Sequence, residues 1–202
     1  MIRYMFRWIE SIRVVSGIPQ NLYWHQKRMD ETFEQFAAIA CPFSLHAIFS
    51  DMRFPQLGLH KLRIVYNLNR IEKIELSAYS IRKISRFYLV ERNDINYSYK
   101  FENRTSIDSV NHLEAEPIIV KQGLITDTRY ANLIFKKGNY WYTPSTFLLN
   151  GTMRQKLLRE GFIQECKIGV EDLFNYSHFK LINAMMPPEQ ALLYSIDLLV
   201  RG

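Results

Sequence analysis

Asp127-Thr128-Arg129-Tyr130-Ala131-Asn132-Leu133-Ile134-Phe135-Lys136-Lys137-Gly138-Asn139-Tyr140-Trp141-Tyr142-Thr143-Pro144, followed by Leu149-Asn150-Gly151-Thr152-Met153-Arg154-Gln155, is the stretch on which the fold turns. Apolar and aromatic residues run up to Lys136-Lys137-Gly138-Asn139 and resume beyond it, the pattern of two strands joined by a tight turn. Pro144 and Gly151 then bracket a loop that launches a helix from Thr152 to Arg159, ended by Gly161. Just upstream, Ile118-Ile119-Val120 and Leu124-Ile125-Thr126 flank Lys121-Gln122-Gly123 as a further hairpin. Within this run Asp127 stands five residues before Asn132.

Outward from this core the periodicity changes kind several times. Trp8 to Val15 alternates as a strand, and Gly17-Ile18-Pro19 supplies a turn. From Leu22 to Ala40 the apolar positions Leu22, Met29, Phe33, Phe36, Ala37 and Ala40 follow helical spacing, closed by Cys41-Pro42. Ser44 to Met52 reads as a shorter helix. Lys61 to Leu68, Lys73 to Ser80 and Ser85 to Val90 read as strands of one sheet. The pattern breaks at Arg92-Asn93-Asp94, and a polar helix is expected from Arg104 to Leu113. The reading is an α+β chain of two small α/β domains with a cleft between them, an N-terminal one over residues 1–94 and a C-terminal one over 95–202.

Composition bounds what such a chain can do. At 202 residues, 48% of them hydrophobic, it can bury one sizeable core or two small ones. Its formal charge is +6, but the 26 Lys and Arg lie singly or in pairs among 20 acids, a solvated surface with room for a local anion site. A single-strand nucleic-acid platform, with Tyr79, Phe87, Tyr88, Tyr97 and Tyr99 stacking bases and Arg82, Lys83 and Arg86 meeting phosphates, is the less favoured reading, because the apolar residues between those aromatics place them in a core. Cys41 and Cys166 lie far apart and read as free thiols in a reducing, cytoplasmic compartment. Arg3, Arg7, Glu10 and Arg13 interrupt the N-terminal apolar run, so neither a signal peptide nor a membrane span is expected. His25, His46, His60, His112 and His178 show no metal-ligand spacing, and no metal is expected.

Lys100 is the chemically suggestive residue of the C-terminal half. It ends the aromatic, strand-like run Tyr97-Ser98-Tyr99 just before the polar stretch Glu102-Asn103-Arg104. Partial burial among aromatics disfavours an ammonium, and an amine freed of its proton attacks carbonyls. Taken in order, Glu10-Ser11-Ile12-Arg13-Val14, His25-Gln26-Lys27-Arg28-Met29, Lys100, the Asp127–Gln155 stretch and Ile182-Asn183-Ala184-Met185-Met186-Pro187 resemble the class IV, fold-type IV pyridoxal-phosphate enzymes. That family includes branched-chain and D-amino-acid aminotransferases and aminodeoxychorismate lyase, and the 151–155 and 183–187 segments look more like the lyase branch.

The resemblance implies pyridoxal 5'-phosphate as cofactor, carried covalently by Lys100, which would also serve as catalytic base, with general-acid help from Lys100 or Thr152. Arg28, the backbone at Gly151 and Thr152, and the loop of Asn183 and Ala184 would hold the phosphate end. Asp127, where the family has glutamate, would meet the pyridine nitrogen, and Asn132 would orient the loop. Tyr97, Tyr99 or Asn103 could donate to the phenolate oxygen. Arg13, Arg104 and Arg129 stay open as sites for a substrate carboxylate. The implied reaction converts aminodeoxychorismate to 4-aminobenzoate and pyruvate for folate synthesis; transamination of branched-chain or D-amino acids is the alternative, and a family member without turnover a third. The implied partners are a small-molecule amine substrate and a second copy in a homodimer, with neither nucleic acid nor membrane. Departures are Arg129, Ile134 and Thr152 in place of the usual residues, a short span from Lys100 to Asp127, and a chain that starts close to the Glu10 segment and so reads as N-terminally shortened.

Overall fold

The computed structural model describes residues 6–110 and 115–201. The chain divides into two compact units, one of Met1–Ser80 with Tyr99–Asn103, the other of Ile81–Ser98 with Arg104–Gly202.

The first unit holds β1 (Trp8–Val15), β2 (Ile18–Pro19), α1 (Leu22–Ala37), α2 (Leu45–Ser50), β3 (Leu59–Tyr66) and β4 (Ile71–Ala78). Its sheet runs β2-β1-β3-β4 and is antiparallel throughout. Alternation along β1 puts Trp8, Glu10, Ile12 and Val14 on one face, opposite Tyr66, Ile64, Leu62 and His60 of β3. Three of those four β1 residues join Met29, Phe33, Leu45, Leu62, Ile64 and Tyr66 in one apolar core; the fourth, Glu10, is a buried acid. On α1 the buried stripe is His25, Arg28, Met29, Thr32 and Phe33, spacings of three and four that lay one face on the sheet. The helix stops at Ala37, three residues short of the sequence expectation. Ala38 turns left-handed at φ 53 and its N–H donates to the Glu34 carbonyl, ending the helix before Cys41-Pro42 is reached.

The second unit contains β5 (Phe87–Glu91), α3 (Thr105–Asp108), β6 (Glu116–Lys121), β7 (Leu124–Thr128), β8 (Asn132–Lys137), β9 (Tyr140–Pro144), α4 (Thr152–Arg159), β10 (Gln164–Cys166), β11 (His178–Ile182), β12 (Tyr194–Ser195) and β13 (Leu199–Arg201). One sheet is ordered β13-β5-β6-β7 and the other β10-β9-β8-β11-β12. Both expected hairpins form: Gln122 and Gly123 turn at φ 51 and 74, and Gly138 turns at φ 58. The sheets share a core of Phe87, Ile118, Val120, Ile125, Leu133, Phe135, Phe179 and Leu181.

Three expectations change. The Ser85–Val90 strand does not join the first sheet: β5 pairs in parallel with β6, and Phe87 packs edge-on to Phe179 and Tyr194 at 4.9 Å. The boundary expected at residue 94 accordingly moves to Ser80, and Tyr99–Asn103 returns to the first unit. The Arg104–Leu113 helix is four residues long, Thr105–Asp108, and residues 111–113 lie outside the described part. Phe87 and Tyr97 are buried, which removes them from any base-stacking surface. Among the described residues no helix is long and apolar enough to cross a membrane, and no group of three or more His, Cys, Asp or Glu is placed to hold a metal ion.

Candidate active site

In the first unit Lys100 belongs to an extended segment rather than a strand. Its carbonyl accepts from the Ile9 N–H at 2.9 Å, Phe101 bridges Trp8, and the Glu102 N–H donates to the Arg7 carbonyl at 2.8 Å. The segment thus lines the edge of β1 that β2 leaves open at the other end, with Lys100 opposite Ile9. Tyr99 serves packing, with its ring edge-on to Phe36 at 4.9 Å.

Glu10 gathers two side chains from α1. Arg28 donates through Nε to Oε1 at 2.9 Å and through Nη2 to Oε2 at 2.5 Å, and His25 Nδ1 also meets Oε2 at 2.5 Å. Burial by itself would raise the Glu10 carboxyl; the Arg28 charge and the His25 bond outweigh it and hold the group at about 2. His25 moves down, because burial and the charges of Arg28 and Lys100 disfavour the imidazolium more than Glu10 favours it. It is therefore neutral, with Nδ1–H on Glu10, and its buried Nε2 has no hydrogen-bond partner among the described residues. Arg28, expected from sequence to grip a phosphate, is oriented by this fork on Glu10.

In the second unit Asp127 ends β7 inside the protein. Asn132 Nδ2 donates to its Oδ1 at 2.8 Å and to the Leu149 carbonyl at 2.9 Å, while the N–H groups of Leu148 and Leu149 donate to Oδ2 at 2.9 and 3.0 Å. Burial nonetheless pushes the Asp127 carboxyl up to about 6, since these dipoles offset only part of the lost hydration.

Gly151 caps α4 without a side-chain bond, and no acid occupies the first helical turn. The leading N–H groups of the helix and its positive dipole end are thus left for an anion. Glycine is required here by space, not by backbone angle. At φ −62 any residue would be comfortable, but a Cβ would lie 2.1 Å from Asn132 Oδ1. Thr152 is buried at the start of the helix.

The loop between β9 and α4 is fastened by Arg154, which sequence reasoning missed. Its guanidinium donates to Asn150 Oδ1 and to the Pro144 carbonyl, both at 3.0 Å, pairs with Glu165, and stacks on Phe147. Asn183 is engaged in its own turn: Oδ1 accepts from the N–H groups of Met185 and Met186, and Nδ2 donates to the Tyr130 carbonyl at 3.1 Å. That leaves Ala184 at the tip of the turn. Arg129 is committed to buried Glu116 through Nε at 3.2 Å and Nη2 at 2.8 Å, and Arg104 donates to the Arg129 carbonyl at 2.6 Å. Neither is an open cation for a substrate carboxylate.

The first unit therefore contains an amine, Lys100, and a buried arginine, Arg28; the second contains a buried acid, Asp127, and a helix start at Gly151 without a side-chain cap. Residues 108–187 match the amino-transferase class IV family. An uncharacterized protein of Haemophilus influenzae is 37% identical over 188 residues, 90% of this chain and 98% of the relative. A Haemophilus somnus crystal structure, provisionally named a 4-amino-4-deoxychorismate lyase, superposes with a TM-score of 0.83 at 33% identity, covering 90% of this chain and 97% of that one. A hypothetical aminotransferase of Mycobacterium tuberculosis in its pyridoxal-phosphate-bound form shares the fold, with a TM-score of 0.71 at 15% identity over 98% of this chain and 82% of that one. The fold and its residues define a fold-type IV protein of the kind that works with pyridoxal phosphate. The chain belongs to the aminotransferase class IV family.

Proposed function

We propose that the protein is a pyridoxal-phosphate-dependent lyase that converts 4-amino-4-deoxychorismate to 4-aminobenzoate and pyruvate, a step toward folate. The observation that carries this reading is a contrast in kinship. The likeness to the Haemophilus somnus protein is 33% identity over nearly its whole length, whereas the aminotransferase-named Mesorhizobium loti structure is 18% identical.

Bound, the cofactor supplies an electron sink through its protonated ring. Arg28 and the N–H groups after Gly151 would hold the phosphate, and the Asp127 carboxylate would hold the proton on the ring nitrogen. Lys100 Nζ would hold the cofactor's aldehyde, and as a free amine it would take the proton from the carbon that bears the substrate amine. The bond from the neighbouring carbon to the enolpyruvyl oxygen then breaks, the ring becomes aromatic, and Lys100 or Thr152 returns a proton to the departing group as pyruvate.

Incubation with aminodeoxychorismate should yield equal amounts of 4-aminobenzoate and pyruvate, and Lys100→Ala should abolish both. Accumulation of pyridoxamine phosphate with D-alanine or leucine, without 4-aminobenzoate, would replace the lyase reading by a class IV aminotransferase.

A further inference from the structure

We propose that the outer edge of β4 is a pairing surface for a second copy of this chain, the two strands running antiparallel about a two-fold axis at Ile74. β4 is the last strand of the first sheet, bonded to β3 on one side and to no other strand among the described residues. The Tyr79 N–H donates to the Leu59 carbonyl at 2.8 Å, which sets the phase of the ladder. Ser77, Glu75 and Lys73 turn their backbone groups toward β3, while Ala78, Leu76 and Ile74 turn theirs outward. Such a row of outward donors and acceptors templates a further strand, and proline, bulges or charge ordinarily blunt it. Here no proline lies between Ile71 and Ala78, and the one register shift is confined to the Val65–Tyr66 end of β3. Leu76 is 39% exposed, and the Lys73 and Glu75 side chains 59% and 42%.

The order of the charges selects the occupant. When identical strands pair antiparallel, the residue on the axis faces its own copy and its two neighbours face each other's copies. An axis at Lys73 or at Glu75 puts like charges directly opposite, which is unfavourable. An axis at Ile74 makes that residue a doubly hydrogen-bonded pair, since its backbone groups already point outward, and sets Lys73 opposite the partner's Glu75 on both sides of the axis. These are non-hydrogen-bonded positions, where side chains approach most closely. Within one chain Lys73 already meets Glu75 at 2.8 Å, so two copies form an alternating quartet of charges. An axis at Leu76 brings no opposite charges together. On the other face Ile74 and Leu76 stand across from buried Ile64 and Leu62 of β3, so pairing covers the apolar face where it runs out at the edge.

The test is sedimentation velocity of the full chain from about 1 to 100 μM, with the folding of each variant checked by circular dichroism. The unmodified chain should dimerise within that range, and less so as salt rises from about 0.05 to 0.5 M and screens the charge pairs. Lys73→Glu and Glu75→Lys should each weaken association by about tenfold or more, because each puts like charges opposite. An equimolar mixture of the two variants should associate at least as tightly as the unmodified chain, since every mixed pair again opposes plus to minus. A monomer throughout the range overturns the proposal, and so does a dimer that neither variant weakens or that mixing does not restore. Should Glu75→Lys, which also takes a partner from Arg63, fail to fold, Lys73→Glu alone decides through salt. Its association should strengthen as salt screens the repulsion, opposite to the unmodified chain, and a fall parallel to the unmodified chain overturns the proposal.

Discussion

Two buried carboxyls in this protein are driven in opposite directions by their neighbours. Glu10 faces a guanidinium and an imidazole N–H and is held at about 2, while Asp127 accepts hydrogen bonds from neutral donors, with the Arg154 charge the smallest of its lowering influences, and rises to about 6. The stability consequences are opposite. Glu10 contributes stability that is present above pH 4.5 and lost as pH falls toward 2, because its folded value lies below its unfolded one. Asp127 favours the fold fully below pH 3.8, and that contribution is lost as pH rises through about 6. The melting temperature of Asp127→Asn relative to the unmodified chain should therefore climb between pH 4 and 7, by the equivalent of roughly 2 to 3 kcal/mol. On the proposed function, pyridoxal phosphate would bring a protonated nitrogen to Asp127, and adding it should flatten that climb in melts of the unmodified chain. Asp127 could be singled out from sequence because acid, amide and glycine lie within one local run. The tie between Glu10, His25 and Arg28 could not, since nothing in the spacing says which strand face meets which helix face. The available signal was a charge at a core position of an alternating strand.

At the level of elements, the helix start is a steric device as much as an electrostatic one. Asn132 at the head of β8 occupies the space that a side chain at 151 would need, and the same amide braces Asp127 and the Leu149 carbonyl. Gly151→Ala should cost about 1–3 kcal/mol in urea melts, the range for forcing a group into packed space. In an Asn132→Ala background that cost should fall below about 1 kcal/mol, a coupling expected of residues in contact. An unchanged cost there would show that Asn132 is not the obstacle. Hairpins and α4 were legible because glycine turns and caps are local. The placement of β5 was not, because a parallel strand chooses its neighbour through a distant core, here Phe179 and Tyr194. The early end of α1 was hidden for a similar reason: Ala38 adopts a left-handed turn that its sequence does not advertise.

Across the whole molecule, the first unit is discontinuous in sequence. It recovers Tyr99–Asn103 after the chain has left it at Ser80. A fragment ending at Ser80 loses the Lys100 and Glu102 backbone bonds to β1 and the packing of Tyr99 and Phe101 on Phe36. By circular dichroism it should melt at a lower temperature and less cooperatively than a version in which residues 99–103 are rejoined by a short linker; equal melts would mean the returning segment adds nothing. The sequence expectation of a break near residue 94 followed the visible polar run, yet what defines the unit is which edge of β1 the later segment lines, a choice no local pattern records. During synthesis on the ribosome, residues 6–80 emerge ahead of the returning segment, so the cluster of Glu10, His25 and Arg28 can assemble before residues 99–103 exist in the nascent chain. Until residues 99–103 follow, the nascent chain leaves one edge of β1 without the backbone partners that Lys100 and Glu102 later provide.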